Sequence, residues 1–558
     1  MTKKLLSSVL AAAMIATAFT GCGGSTSQAS SQAAASGTGS AAQSKSVSLT
    51  VNVGTEPDSI DPDLNTLVDG GIYIQHVFEG LTKLDDKGKI VNGQAKDIKV
   101  SDDGLTYTVT LRDDIKWSDG KPVTAQDFVY GWQRLVNPKT ASEYSYMMDP
   151  VVNATDIYTG KNKDVTSLGV TAKDDKTLEI KLSAPCAYFL ELLSRPMFYP
   201  LRKDVVEGND KWTQDPKTYI GNGPYKMTAW NHKESIIDQK SDTYYNKDAV
   251  TVDQIKFLLM DDDSAIQAAY QNGELNFADS YPVEEQEKWA ATKDYHNMDQ
   301  LATYYIAFNC KKAPFDNPKV RKALTLAIDR NYIVNNITKA GQIPADAFVS
   351  TGVTDADTSK QFHEVGGGYY SVKDEDYDKN VAEAKKLLSE AGYPDGKGFP
   401  TFEYSFNTNT GHKAIAEALQ NMWKEELGIN CTIAAQEWAV FSENRHKGNY
   451  QVARDGWIAD YNDPISYLDT FMSDSGNNDP QWSNKDFDAL IRKAKATGDQ
   501  TVRMKAMHDA EKVLMDDMPL CPIYFYTDVY LLNTNISNVV TTPLGDKLFT
   551  YAKVSAKS

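Results

Sequence analysis

Five cysteines in 558 residues are too few and too scattered for a disulfide-stapled scaffold. Basic residues are also in short supply. Against 76 Asp and Glu stand 58 Lys and Arg, a formal charge of −18, and phosphate binding needs clustered cations, so nucleic acid is excluded as the main partner. After the first 20 residues no apolar run reaches the roughly 20 that a membrane-spanning helix needs. Gly-x-Ser-x-Gly, His-Glu-x-x-His and Cys-x-x-Cys motifs are missing, which removes the commonest signatures of secreted hydrolases and redox proteins. Gly392-Tyr-Pro-Asp-Gly-Lys-Gly398 has the wrong spacing for a phosphate loop and follows a helical pattern, so it is a turn. Asp261-Asp262-Asp263 is a loop or helix start in preference to a metal cluster. We expect no cofactor and no metal. What remains is a large acidic folded protein, 24% charged and 10% aromatic, with room for more than one core.

The chain starts with Lys3 and Lys4, an apolar stretch from Leu5 to Phe19, and then Thr20-Gly21-Cys22. That order is a secretory signal over residues 1–21, and small residues before Cys22 suit cleavage and acylation of its thiol, as in a bacterial lipobox. The alternative is an ordinary signal with a chance cysteine. Gly23 to Ser46 is Gly, Ser, Ala, Gln and Thr with Lys45 its only charge. It is expected as a flexible tether (22–46), with a coil span of roughly 27 Å and a stretched reach of about 80 Å. A lipid on Cys22 would hold the protein at the outer face of a bacterial cell membrane. Loss of Lys3 and Lys4 would take the charge to −20.

The rest alternates strands and helices without a repeat. Leu105–Leu111 and Thr177–Leu182 alternate as half-buried strands. Thr124 can cap a helix from Ala125 towards Leu135, and Asn317-Pro318 opens another with Val320, Leu324, Ala327 and Ile328 on one face. Two more stripes, Val381–Ala391 and Ile415–Leu427, stop at Gly392 and Gly428. All are expected to be core. Cys186, Cys310, Cys431 and Cys521 could form two disulfides in any of three connectivities or stay as buried thiols, the option we favour.

The densest chemistry runs from Gln436 to Leu468. Trp438, Arg445, His446, Arg454, Trp457 and Asp460 crowd into 23 positions, Val452-Ala453 and Trp457-Ile458 have strand character, and Asn462-Asp463-Pro464 forces a turn. A carboxylate at a strand end can hold an ammonium, and arginines can hold a carboxylate bidentately, which together would suit a zwitterion such as a peptide. The alternative is a structural ion pair between Arg454 and Asp460.

This segment resembles the ligand-binding segment of the extracytoplasmic oligopeptide-binding proteins of ABC importers. Further matches are Glu56–Pro62, Val77–Leu81, Leu111–Gly120, Val123–Tyr130, Gly221–Tyr225 and Pro522–Tyr526, in order over nearly the whole folded chain. The resemblance implies an α/β, three-lobed fold of the periplasmic-binding-protein type, closing by a hinge over an extended peptide. Lobe I would comprise 47–78, 204–301 and 528–558, lobe II 79–203, and lobe III 302–527. It implies a monomer that captures oligopeptides for an ABC permease and catalyses nothing.

Carried onto matching positions, the resemblance gives Asp460 the peptide ammonium, and Arg454 and His412 its carboxylate. Arg445 and Trp438 would line a side-chain pocket, with Trp457 near the first residue. Tyr144 would reach in from the opposite lobe, and Tyr305, Tyr526 and Val68 would line the site. His412 could instead simply begin a helix, and Tyr305 and Tyr526 could be core. Thr66 and Thr338 replace an acid and a lysine of the family, and the cysteine pair of enteric members falls at Ala302 and Ile458. The other readings are a non-peptide solute (metal chelate, sugar or signalling molecule) on the same fold, or a secreted hydrolase.

Overall fold

A computed structural model describes residues 46–555; the expected signal, the lipidated Cys22 and nearly all of the tether lie outside them. The main sheet has eleven strands. Ten form one path: β1 (Ser48–Asn52), β2 (Tyr225–Asn231), β3 (Ser235–Lys240), β4 (Gln254–Leu258), β5 (Phe277–Ala278), β6 (Tyr295–Phe308), β7 (Phe402–Asn407), β8 (Cys431–Gln436), β9 (Val452–Ile458) and β10 (Leu520–Leu532). Their spatial order is β8-β7-β9-β6-β10-β5-β1-β4-β3-β2. Ile343–Pro344 adds to β10 from the side. Parallel pairs (β1 with β4 and β5, β7 with β8 and β9) mix with antiparallel ones, so the fold is α/β as expected.

Two strands hold this sheet together. β6 has 14 residues and β10 has 13, rich in aromatic and aliphatic side chains that suit a pleated, buried surface. Their antiparallel register runs Tyr295↔Leu531 to Asp299↔Thr527, then slips and resumes at Thr303↔Phe525. The N-terminal half of β6 thus belongs with β5 and β1, and its C-terminal half pairs with β9. The irregularity between them bends the ribbon. A second, four-stranded antiparallel sheet stands apart, in the order Ala95–Val100, Thr106–Leu111, Thr177–Lys181, Val170–Asp174.

The amphipathic stripes are core, as expected. Val320 and Leu324 in Pro318–Leu326, Val381 and Leu388 in Tyr377–Glu390, and Ile415, Leu419 and Trp423 in Thr410–Leu427 are buried. Burial of each such side chain stabilises by about 2 kcal/mol, and the Trp423 indole satisfies its N–H on Leu324 O at 3.0 Å. Asn317 Oδ1 caps the first of these helices through the Lys319 N–H, and Gly428 ends the last in the left-handed region (φ 67°). Ala125–Leu135 starts where Asp127 accepts from the Thr124 N–H at 2.8 Å. Asp262, the second residue of the acidic triplet, caps the helix Asp263–Gln271. Cys186, Cys310, Cys431 and Cys521 are free thiols, the option favoured from sequence; Cys431 and Cys521 are buried, while Cys186 and Cys310 are half-buried. Ala302 and Ile458 stand opposite each other in the β6/β9 ladder. No described helix is long and apolar enough to cross a membrane.

Candidate functional site

The bend in the β6/β10 ribbon floors a cavity of about 760 Å³. Gln300 and Tyr526 enter it from the bend and Tyr305 from further along β6, while Val68, at the start of the helix Val68–Val77, also lines it. Tyr144, with Arg195, enters from the stretch that carries the second sheet. Trp438, Arg445, Arg454, Trp457 and Asp460 line another part of the wall. Nine of the ten ligand positions expected from sequence are therefore brought to one cavity.

The loop after β9 builds the Asp460 end. Asp463 accepts from the Ile465 N–H at 2.9 Å and is clamped by Arg503 at 2.5 and 2.6 Å, which fixes the turn at Pro464. Ser466 then comes back to the strand: its Oγ accepts from the Asp460 N–H at 2.8 Å and its carbonyl from the Trp457 indole N–H at 2.7 Å. The backbone of Asp460 is thus held, but its carboxylate Oδ2 is buried without a hydrogen-bond donor. Burial pushes this carboxyl up to about 7, although the Arg195 charge pulls it down. A buried acceptor of this kind is a defect unless a cation or donor arrives.

The two arginines differ. Arg445 is committed: its Nη1 meets Asp455 Oδ1 at 2.7 Å and its Nε meets Asp479 Oδ2 at 2.6 Å, with His446 Nδ1 on the other Asp479 oxygen at 2.9 Å. Burial raises Asp455 to about 6 despite Arg445; against burial, Arg445 and His446 hold Asp479 below the usual carboxylate range. Arg454 donates from Nη2 to Tyr526 Oη at 2.8 Å and lies 5.2 Å from the Tyr304 ring. Its Nε finds no acceptor, and among the described residues no carboxylate comes within ion-pair distance.

Two sequence readings need correction. Arg454 and Asp460 form no ion pair, because the extended segment from Arg454 to Ile458 alone separates them by about 13 Å. His412 is not on the cavity wall. It sits in the first turn of Thr410–Leu427, which Asn409 caps, with Nδ1 3.5 Å from Tyr304 Oη. Burial and the neighbouring Arg454 hold its imidazole well below the usual histidine range, so it is neutral. Sequence reasoning missed Arg195, which pairs with Asp546 at 2.9 Å, and Lys547, which bridges Asp279 at 3.0 Å and Asp528 at 3.2 Å. Those partners lie hundreds of positions apart or carry no motif, and no local signal marks them. Among the described residues no His, Cys, Asp and Glu group forms a metal site.

A mixed sheet with a polar cavity at its bend, facing a separate small sheet, defines an α/β binding protein of the multi-lobed, periplasmic-binding-protein-like class. The profile of bacterial extracellular solute-binding proteins, family 5 (middle region), matches residues 89–479, and the chain belongs to that family. It is 37% identical over 509 residues to the oligopeptide-binding protein OppA of Bacillus subtilis, covering 90% of this chain and 92% of that protein. The structure of Haemophilus influenzae OppA complexed with RPPGFSPFR superposes with a TM-score of 0.85 at 32% identity, over 91% of this chain and 99% of that one. The murein tripeptide binding protein MppA of Escherichia coli scores 0.84 at 32% identity, with 91% and 99% covered. An unliganded open form of MppA scores only 0.64, at 32% identity with 91% and 98% covered. Members of the family are substrate-binding receptors, and this chain is not an enzyme.

Proposed function

We propose that this protein is a lipid-anchored receptor that captures oligopeptides and hands them to an ABC permease. The observation that carries the reading is a buried carboxylate and a buried guanidinium on one cavity wall: Asp460, whose Oδ2 accepts no hydrogen bond, and Arg454, which has no carboxylate within ion-pair distance. A peptide brings the two missing partners, an ammonium and a carboxylate. The bound chain lies as an added strand, its backbone recognised and its side chains in the remaining space. Relatives bearing oligopeptide- and dipeptide-binding names support this, as does the peptide in the Haemophilus structure.

In this reading Trp457 flanks the first peptide residue, while Tyr144, Tyr305, Tyr526 and Val68 line the path. Arg445 and Trp438 close a side-chain pocket, with Arg445 acting through its two aspartates. Lobe I (47–78, 204–301, 528–558) and lobe III (302–527) meet in the β6/β10 ribbon, lobe II (79–203) carries the small sheet, and the ribbon bend is the hinge. Cys22 carries the lipid, residues 22–46 are the tether, and the receptor works as a monomer on the outer face of the cell membrane.

The test is titration calorimetry with short peptides. Asp460→Ala should weaken binding by about 2 to 5 kcal/mol. Wild-type affinity in that variant, or no uptake of peptides by the native protein, overturns the reading.

A further inference from the structure

Beyond the cavity, a second set of contacts ties the stretch that carries the small sheet to the stretch that presents Asp460. Lys495 ends the helix Lys485–Lys495, and its Nζ lies 2.7 Å from Asp149 Oδ2 and 3.0 Å from Asp469 Oδ2. Asp149 belongs with the small sheet: Val151, two residues on, bridges to Leu182 next to its third strand. Asp149 is fixed through its other oxygen by Thr155 and Tyr158, each at 2.7 Å. Asp469 closes the loop that begins at Asp460. Beside this bridge the Tyr188 ring stacks on Tyr461 at 4.4 Å and 10°, and the Arg503 guanidinium lies 5.1 Å from the opposite-lobe ring of Tyr188. Pro185 meets Gly498 so closely that a Cβ there would come within 2.8 Å.

None of Lys495, Asp149, Asp469, Tyr188 or Tyr461 lines the cavity. They connect the two sides that must part if a ligand is to enter, and the difference between 0.84 and 0.64 for the two MppA structures shows that this fold also occurs in an open arrangement.

We infer that Lys495 is a positioning residue for capture: bridging Asp149 and Asp469, it latches the loop that presents Asp460 against the opposite wall, so ligand retention depends on a contact no ligand touches. The inference rests on the peptide reading only in its choice of probe. A latch stabilises the closed state alone, so its loss speeds release and leaves encounter unchanged.

The test is stopped-flow kinetics with RPPGFSPFR on the full-length protein. Lys495→Met and Asp149→Asn should each raise the dissociation rate about tenfold with the association rate unchanged. The free and the N-acetylated peptide should be accelerated alike, and Lys495→Arg should recover most of the retention. Asp149→Asn serves if Lys495→Met fails to fold, since it leaves no second aspartate bare. Dissociation within twofold of wild type in Asp149→Asn overturns the latch. If the wild-type protein takes up no peptide, the peptide reading fails. The latch is then decided by the closed fraction of the ligand-free protein in single-molecule FRET, which both substitutions must lower.

Discussion

Arg445 and Arg454 are nine positions apart, line the same cavity and carry the same charge, yet they do different work. Arg445 sits among Asp455, Asp479 and, through Asp479, His446. Arg454 has a tyrosine hydroxyl and an aromatic face. A buried guanidinium with two carboxylates is a structural part, because removing it strands two charges. One that has been desolvated without a counter-ion is waiting for one. Residue type therefore says little about role; the census of partners says most of it.

Four measurements would break or sharpen that contrast. The largest effect should come from Arg445→Met, which leaves Asp455 and Asp479 facing each other and lowers unfolding stability by about 4 kcal/mol in urea titration. Arg454→Met should leave stability unchanged or raise it, while costing about 3 kcal/mol of affinity for peptides with a free C-terminal carboxylate. A C-terminally amidated peptide should bind both proteins alike. If Arg454→Met unfolds the protein as readily as Arg445→Met does, the distinction fails.

Asp460 gives a third, smaller effect through pH. An ammonium needs the ionised carboxylate, and burial places this group at about 7 in the closed cavity. Affinity should be full above that value and fall as the pH drops through it, by about tenfold at pH 6. Calorimetry at pH 6 and 8 measures this, and Asp460→Asn should bind weakly at both. Smallest is Arg454→Lys, which keeps the charge but loses the planar fork, at about 1 kcal/mol.

Much of the local structure was legible. The stripes of Pro318–Leu326 and Thr410–Leu427 carry their period, cap and stop within a few residues, so short-range rules suffice. The cavity was legible only through resemblance. Arg454 and Asp460 share a short segment and invite pairing, but strand geometry holds them apart. The Arg445 partner Asp479 lies 34 positions away, and nothing in one sequence shows which of 76 acids meets which cation. His412 followed the motif onto the right helix, and only packing against Tyr304 shows that it stops short of the wall.

The long strands β6 and β10 have a mechanical consequence. Two continuous strands whose register slips twice within a few residues, between Asp299 and Thr303 and between Tyr304 and Tyr305, form a two-ply strip with one short creased stretch. Such a strip folds about the crease while the hydrogen bonds on either side stay made, so opening need not break a ladder. Because Gln300 and Tyr526 sit on the crease and also floor the cavity, whatever presses on that floor presses on the fold line itself.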